Sequence, residues 1–406
     1  MNKRIDPRGL RAPGGLASAG TLLFDNSLSI LNRTGAYHIA KDLTREFVPG
    51  RAGIRHWRLG SFAPEGLVRK IVARLMMLEI NWLQDSEIFL IRDKVDERGT
   101  RLFLDPLYVL RSRLSENDIV LCHDVGPLTH RELYDDRTCA NYRLAYEKIR
   151  RVGPGVVFVS NFSAHHFEIL FGSGFRFLKT IPLYLRTELF DGPAEAVPGV
   201  NGPFFLTVGA FETRKNQVAA LKAYRDGGFH RQGVGYVLCG TRGDGYAEIA
   251  ELAGAVPGVR LMGYVPDAQL RWLYANAEAF VLPSLLEGFG MPALEAAYMG
   301  LLPIVSAGSA LVEAVGGVCS QVQPDNPAAI AELMGRALSR SAAEKTQTSR
   351  ALRDTASAAT KDRFLQQWRD VLAAGANSRK GVKRPSAAMA PTIMSEQLHC
   401  GKFDRH

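Results

Sequence analysis

The sequence predicts an α/β protein built from two Rossmann-like domains that face each other across a cleft. Short apolar runs of strand length alternate with longer amphipathic segments of helical periodicity, once in each half of the 406-residue chain. A joint rich in Gly and Pro at residues 190–203 separates the halves. Buried strands linked by helices form parallel sheets, which bind ligands beyond the carboxyl ends of their strands.

The second half shows this alternation most clearly. Its predicted strands are 204–208, 236–239, 259–262, 279–282 and 303–305, and its predicted helices are 217–225, 246–252, 267–276 and 292–299, with helical patterning resuming over 342–373. The first half gives strands at 22–24, 119–122 and 156–159 and helices at 36–47, 67–83, 133–151 and 164–171. We therefore expect a disordered lead-in at 1–20, domains at 21–192 and 198–373, and a disordered tail at 377–406.

Composition fits a soluble enzyme and excludes several other classes. Hydrophobic residues make up 46% of the chain and charged residues 22%, and no apolar run approaches the ~18 residues of a membrane-spanning helix. Asp6, Arg8 and Arg11 interrupt a faint likeness to a signal peptide. The five cysteines are scattered without a Cys-x-x-Cys pair, as expected for reduced thiols in the cytoplasm.

The formal net charge is +9, and the last thirty residues are especially basic. They hold six basic residues against two acidic ones, and they lack apolar periodicity. We favour a solvated tail over a patch that attracts an anionic membrane, because few charges are clustered there. Nucleic acid is not an expected partner, since no motif of that class accompanies the charge.

The loop after the strand at 279–282 is the most informative segment. Glu287 and Glu295 lie eight positions apart around Gly288, Gly290 and Pro292, so a strand ends, a glycine loop follows and a helix begins. Amide groups at such a helix start favour anionic or hydroxyl-rich ligands. We predict that Glu295, in the first helical turn, accepts hydrogen bonds from a ribose diol, and that Glu287 faces the transferred sugar. For Glu295 alone, a simple interaction with the helix dipole is the alternative.

A second loop supplies positive charge. Arg214 and Lys215 follow the strand at 204–208 and open the next helix, so two cations and helix-start amides converge where a diphosphate leaving group can bind. Gly35, after Arg33 and Thr34, is a second candidate, since it can bring backbone amides close to phosphates. Ordinary capping residues in a surface loop are the alternative for Arg214 and Lys215.

His123 and Asp124 end the strand at 119–122, where functional residues of such sheets project. We predict that His123 hydrogen-bonds a sugar hydroxyl while Asp124 fixes its tautomer; a histidine satisfied by the backbone is the alternative. No His/Cys cluster has zinc spacing, and no convincing Asp-x-Asp ends a strand, so a metal is not predicted.

These motifs resemble those of the retaining glycosyltransferases of family 4, which have the GT-B fold. The resemblance rests on the Glu287-x7-Glu295 pattern with Gly288-Phe289-Gly290 inside it, and it continues through residues 208–216, 263–267 and 300–306. It implies that 21–192 is the acceptor-side domain and 198–373 the donor-nucleotide domain, and that the last helix crosses back to the first domain. Gly209, Tyr264, Val265 and Phe289 join the donor site by this resemblance.

The resemblance implies transfer of a hexose with retention from a GDP- or UDP-linked sugar, without any other cofactor. Glu287 and His123 would act at the transferred sugar, Glu295 at the ribose, and Arg214 and Lys215 at the diphosphate. The segments at 208–217 and 123–127 look most like bacterial mannosyltransferases of exopolysaccharide or O-antigen assembly, acting in the cytoplasm or at the inner membrane face on a glycan or lipid-linked acceptor. A sugar-nucleotide epimerase of the same fold and a non-catalytic nucleotide-sugar-binding protein at the membrane are the alternatives.

Overall fold

The structure, a computed structural model, describes residues 22–31, 35–91 and 99–377. It contains two six-stranded sheets in which every pair of neighbouring strands is parallel. This confirms the predicted fold class. The predicted lead-in, Arg33, Thr34 and the tail beyond Asn377 lie outside the described residues.

The first sheet has the strand order β2-β1-β3-β4-β5-β6. Its strands are β1 (Leu22–Asp25), β2 (Ala52–Arg55), β3 (Thr100–Phe103), β4 (Ile119–Cys122), β5 (Gly155–Phe158) and β6 (Phe177–Thr180). Three of these strands, β2, β3 and β6, were not predicted, because a glycine or a charged residue interrupts each apolar run. Their neighbours in the sheet supply the hydrogen bonds that define them as strands.

Six helices accompany this sheet in the described residues: α1 (Leu28–Leu31), α2 (Gly35–Arg51), α3 (Gly66–Leu83), α4 (Gly126–Thr129), α5 (Asp136–Val152) and α6 (Asn161–Phe171). Capping sets two of the starts. The Asp135 side chain accepts from Thr138 N at 2.9 Å, so α5 begins three residues later than predicted. The Ser160 hydroxyl accepts from Ser163 N at 3.1 Å and starts α6 three residues earlier.

The second sheet has the order β12-β11-β10-β7-β8-β9. Its strands are β7 (Phe204–Val208), β8 (Gly235–Cys239), β9 (Val259–Met262), β10 (Ala279–Leu282), β11 (Pro303–Ser306) and β12 (Ser320–Val322). The helices are α7 (Gln217–Asp226), α8 (Tyr246–Ala255), α9 (Asp267–Asn276), α10 (Met291–Met299), α11 (Ala310–Ala314), α12 (Pro327–Leu338), α13 (Ala342–Ala356) and α14 (Lys361–Asn377). Of these elements, β12, α11 and α12 were not predicted from the sequence.

Every residue of β4, β5, β10 and β11 is buried, as expected for central strands covered on both faces. One hydrophobic cluster includes side chains from both sheets, among them Phe158 in the first and Phe280 in the second. The two halves therefore share part of their core, and the carboxyl ends of β4 and β10 lie on opposite sides of the contact between them.

Helix α14 returns to the first half, as the resemblance implied. The Phe364 ring packs 4.8 Å from the Tyr184 ring, and the Trp368 side chain is completely buried. Lys361 Nζ lies 2.7 Å from Asp42 Oδ1 in α2, and Arg369 pairs with Glu46 in the same helix. Apolar packing with a rim of ion pairs thus fixes the end of the described chain to its beginning.

Candidate active site

The glycine loop between β10 and α10 packs closely at two points that lack side chains, Gly288 against the first half and Gly290 against α11 of the second half. A Cβ on Gly288 would lie 2.5 Å from the backbone oxygen of His123. Gly290 has φ 105°, and a Cβ there would lie 2.3 Å from Leu311 Cδ2. The Ser163 hydroxyl bridges the two halves, donating to His123 O at 3.0 Å and lying 3.4 Å from Gly288 O.

Glu287 is buried in this loop and holds a full set of partners. Its carboxylate accepts from Lys215 Nζ at 2.5 Å, from Arg214 Nη1 at 3.1 Å and from the Ser284 hydroxyl at 3.2 Å. Burial alone would raise the pKa of Glu287, but the Lys215 ammonium and the Arg214 guanidinium lower it to about 2. Glu287 is therefore an ionised member of a buried ion cluster. Its predicted contact with the transferred sugar stays a prediction.

Arg214 and Lys215 lie in a 3₁₀ turn at Thr213–Lys215, before α7 rather than inside it. Asn216, with φ 55°, separates that turn from the helix and donates to Pro283 O at 3.0 Å, which ties the cationic turn to the glycine loop. Gly209, with φ 151°, lets the Lys215 stem approach, since a Cβ would lie 3.2 Å from Lys215 Cδ. The helix itself begins at Gln217, as predicted, so the two cations lie immediately before it.

Arg214 also pairs with Glu212 at 2.7 Å, so two cations and two carboxylates balance in this cluster. The Arg214 side chain keeps 28% of its surface exposed, whereas that of Lys215 keeps 8%. Burial would lower the pKa of Arg214, but the carboxylates of Glu287, Glu212 and Asp124 raise it overall. Arg214 is therefore a permanent cation whose side chain stays partly exposed.

Glu295 is the fifth residue of α10, so the prediction that it lies in the first turn is wrong. Its Oε2 accepts from the Tyr274 hydroxyl at 3.0 Å, and the side chain is buried. Burial raises the pKa of Glu295 to about 7, although the Tyr274 hydrogen bond and the charge of Arg186 act in the opposite direction. In the part of the chain that the structure describes, Tyr274 is the single donor to this carboxyl group, so Oε1 can accept from a ligand.

His123 follows β4 and is half-buried. Its Nε2 lies 3.1 Å from Leu104 O, and because a carbonyl only accepts, Nε2 carries the proton. Nδ1 of the neutral ring is then an acceptor. Asp124 instead accepts from Gly126 N at 2.8 Å, so the prediction that Asp124 fixes the His123 tautomer is wrong.

Two residues near the site carry no sequence signal that we used. Tyr134 is largely buried beside Asp124 and Arg214. Burial and the Asp124 carboxylate raise the pKa of its hydroxyl, whereas the Arg214 guanidinium acts to lower it. Glu313 of α11 accepts from Asn161 N at 2.8 Å and from Phe162 N at 3.2 Å, so a side chain of the second half caps α6 of the first. These contacts hold the halves together beside the cleft.

The remaining predicted residues are dispersed. Phe289 and Val265 are buried, whereas Tyr264 is 80% exposed. Gly35 begins α2, and a Cβ there would meet no described atom within 4 Å, so the structure gives no steric reason for glycine. Within the described ranges, no three His, Cys, Asp or Glu side chains cluster so as to hold a metal ion.

Comparison with known proteins identifies the second half. Residues 194–355 match the family described as glycosyl transferases group 1. This segment is a group 1 glycosyltransferase domain. It contains the glycine loop, both glutamates and the cationic turn, and it confirms the resemblance that the sequence predicted.

Curated relatives are similar to this chain over part of their length. O-antigen chain mannosyltransferase B of Escherichia coli is 30% identical over 241 residues, which cover 56% of this chain and 63% of the relative. MMP alpha-(1->4)-mannosyltransferase of Mycolicibacterium hassiacum is 39% identical over 93 residues, or 22% of each protein. The chain thus matches less than two thirds of the length of these relatives.

Solved structures show the fold. Anabaena HepE, in complex with UDP and glucose, has a TM-score of 0.62 at 17% identity and covers 87% of this chain and 100% of its own. Sucrose-phosphate synthase of Thermosynechococcus elongatus has a TM-score of 0.61 at 16% identity, with the same coverage. The predicted GT-B fold is confirmed.

Gly288→Ala tests the approach of the glycine loop to the first half. The added methyl group must push the loop away from His123 O, and because a shift of about 1 Å in a reacting group can cost a hundredfold in rate, we expect kcat/KM to fall by about that factor. Gly254→Ala in α8, where a Cβ meets no described atom within 4 Å, is the matched control. Equal kcat/KM in the two variants would show that the close approach has no role in activity.

Proposed function

We propose that the protein is a retaining glycosyltransferase that moves a hexose, most simply mannose, from a nucleoside-diphosphate sugar to a glycan or lipid-linked glycan in bacterial surface polysaccharide synthesis. The group 1 domain supports the reaction class. The names of the two mannosyltransferase relatives support the sugar, and the O-antigen relative supports the type of product. The two halves, in contact beside the cleft, provide a donor side and an acceptor side.

The ion cluster of Glu287, Lys215 and Arg214 is the observation that carries this proposal. A diphosphate that enters the cleft meets the partly exposed Arg214 guanidinium first, and preorganised cations stabilise the charge that develops on it as the glycosidic bond breaks. Glu287 holds Lys215 and Arg214 in place before the donor arrives. The role of Glu287 is then to position the two cations. Once the diphosphate accepts some of the hydrogen bonds of Lys215 and Arg214, Glu287 contacts the sugar.

Glu295 and His123 are assigned to the two ends of the donor. Glu295 accepts from the ribose diol through Oε1, since Tyr274 occupies Oε2. His123 Nε2 donates a hydrogen bond to Leu104 O, so Nδ1 accepts a hydrogen bond from a sugar hydroxyl. In this proposal the nucleotide leaves from the face that the acceptor attacks, and an oxygen of the departing diphosphate takes the acceptor's proton.

A donor panel tests the proposed function. Purified protein is incubated with GDP-mannose, UDP-glucose and ADP-glucose, and the melting temperature and nucleotide release are measured for each. We expect GDP-mannose to give the largest stabilisation, and NMR of the product to show the anomeric configuration of the donor. Stabilisation by no donor would overturn the assignment, and an inverted product would overturn retention. Donor conversion to a second nucleotide sugar without an acceptor would identify an epimerase instead.

We expect transfer to continue in excess EDTA. The Arg214 guanidinium and the Lys215 ammonium lie where a divalent ion would otherwise balance the diphosphate charge. Initial rates measured with EDTA, and with EDTA followed by Mn²⁺ or Mg²⁺, check this. A rate that disappears with EDTA and returns with either metal would contradict the proposed division of labour.

A further inference from the structure

Helix α3 presents a long apolar face to the solvent. Six large apolar side chains of this helix are exposed, with Leu67 at 73% and Trp82 at 81%: Leu67, Val68, Ile71, Leu75, Leu78 and Trp82. At 100° per residue these positions fall on one face about 100° wide. The core-facing side is separate and consists of Val72, Met76 and Ile80. We call the six exposed side chains the α3 stripe.

The loop that follows α3 extends this surface. Ile88 is 58% exposed and Phe89 75% exposed. Phe89 has φ 53°, a conformation that a side chain adopts at some cost, and Arg58 donates to its backbone oxygen. This loop therefore keeps an aromatic ring in the solvent beside the C-terminal end of the stripe.

The charges around the α3 stripe are asymmetric. Lys70 and Arg74 are exposed along one edge, and no ion pair joins either of them to another described residue. Two acidic groups nearby are paired: Glu79 lies 2.6 Å from Arg58 and 3.0 Å from Arg111, and Asp85 lies 2.6 Å from Lys148 and 2.8 Å from Arg151. Glu65 and Glu87 are exposed beyond the two ends of the stripe. The long edge of the stripe that carries Lys70 and Arg74 is thus positive.

We propose that the α3 stripe binds the surface of an anionic membrane. An interfacial helix has a row of Leu, Ile or Val, an aromatic residue at the depth of the headgroups and basic residues on the polar edge. Leu75, Trp82 and Arg74 supply these three parts.

The stripe lies on the side of the first half where an acceptor would arrive. Arg69 Nη1 donates to Ile30 O at 2.7 Å, which ties the start of α3 to the helix that follows β1. That helix lies at the carboxyl edge of the sheet, as does His123 after β4. A membrane at this position holds a lipid-linked acceptor near the cleft. The inference goes beyond the proposed function, because membrane binding is measurable without sugar transfer.

Vesicle sedimentation of the full chain tests the inference. The probes are vesicles of phosphatidylcholine alone and vesicles that also contain phosphatidylglycerol. We expect binding to the anionic vesicles only, reduced about tenfold by Lys70→Glu with Arg74→Glu and at least as much by Ile71→Gln with Leu75→Gln. Ile169→Gln, at an apolar residue of α6 that is 65% exposed, is the matched control and should bind as the unchanged protein does.

Trp82 provides a second readout. Its emission should shift to shorter wavelength when anionic vesicles are added, and Trp82→Phe should remove most of that shift while binding persists. Equal vesicle binding by the Ile71→Gln/Leu75→Gln double variant and the Ile169→Gln control would overturn the proposal. A dimer that forms without vesicles and dissociates in the double variant would also overturn it, because a second copy would then cover the stripe. So would a marked fall in the melting temperature of the double variant, because the stripe would then pack against the rest of the protein. None of these results affects the donor panel.

Discussion

Replacement of Lys215 by alanine is expected to lower kcat by about a thousandfold, the upper range for loss of one preorganised donor at a developing charge. It removes the closest cation to Glu287, 2.5 Å away, and leaves that carboxylate buried with Arg214 and Ser284. Breaking a buried pair also costs on the order of 3 kcal/mol in unfolding free energy. Steady-state kinetics and urea unfolding measure the two effects.

The pH dependence of unfolding separates the effect of Lys215→Ala on stability from its effect on kcat. The pKa of Glu287 is lowered from 4.5 to about 2 in the folded protein, so its pairing stabilises the fold above pH 4.5, and this contribution is lost as the pH falls towards 2. The difference in stability between Lys215→Ala and the unchanged protein should therefore shrink at acidic pH. Lys222→Ala, at an exposed lysine of α7, is the control. A kcat of Lys215→Ala within about threefold of the normal value would show that Lys215 has no role in catalysis.

Glu295→Ala is expected to weaken donor binding by about tenfold to a hundredfold, since a hydrogen bond to a carboxylate contributes roughly 1.5–3 kcal/mol. Glu287→Ala should mainly slow transfer. A ribose diol donates to the ionised form of Glu295, whose pKa is about 7 before the donor binds. Binding then releases a proton, so donor affinity should rise as the pH increases to 7 and level off above it. Calorimetry between pH 5.5 and about 8.5 measures both effects.

Two variants control this experiment. Tyr274→Phe removes the hydroxyl that favours the ionised form, so the rise in affinity should move to higher pH. Glu295→Gln should bind without that rise. It should also be more stable than the unchanged protein above pH 7 by on the order of 3 kcal/mol and equally stable below pH 4.5, because the raised pKa destabilises only the ionised state. A donor affinity that stays unchanged in Glu295→Ala would refute the ribose assignment.

Local patterns in the sequence were enough to predict the segment from β10 to α10. Its strand is a continuous apolar run, and the residues that shape the loop are neighbours in the chain, such as Gly288 and Gly290. The same kind of local pattern did not predict β3, because Arg101 interrupts its apolar run. In the fold that guanidinium pairs with Asp118 at 2.7 Å, so a charged residue is compatible with an interior strand.

The ion cluster shows why the site was only partly predictable. Both Lys215 and Glu287 were expected in the site, but in separate roles, because nothing in a linear sequence indicates that residues 72 positions apart face each other at 2.5 Å. Glu313 had no local signal at all, since its partner Asn161 is 152 positions away. The roles of these residues in binding and transfer stay predictions until the variants are measured.

The return of α14 to the first half has a consequence for synthesis of the protein. The Arg369–Glu46 pair joins residues 323 positions apart, and the Trp368 indole is buried completely only when α14 has docked. A ribosome adds about 5–20 residues per second, so roughly 15–60 s pass between the synthesis of α2 and that of α14. During that time the nascent first domain exposes the apolar surface that α14 later covers, and it is a natural client for a ribosome-associated chaperone.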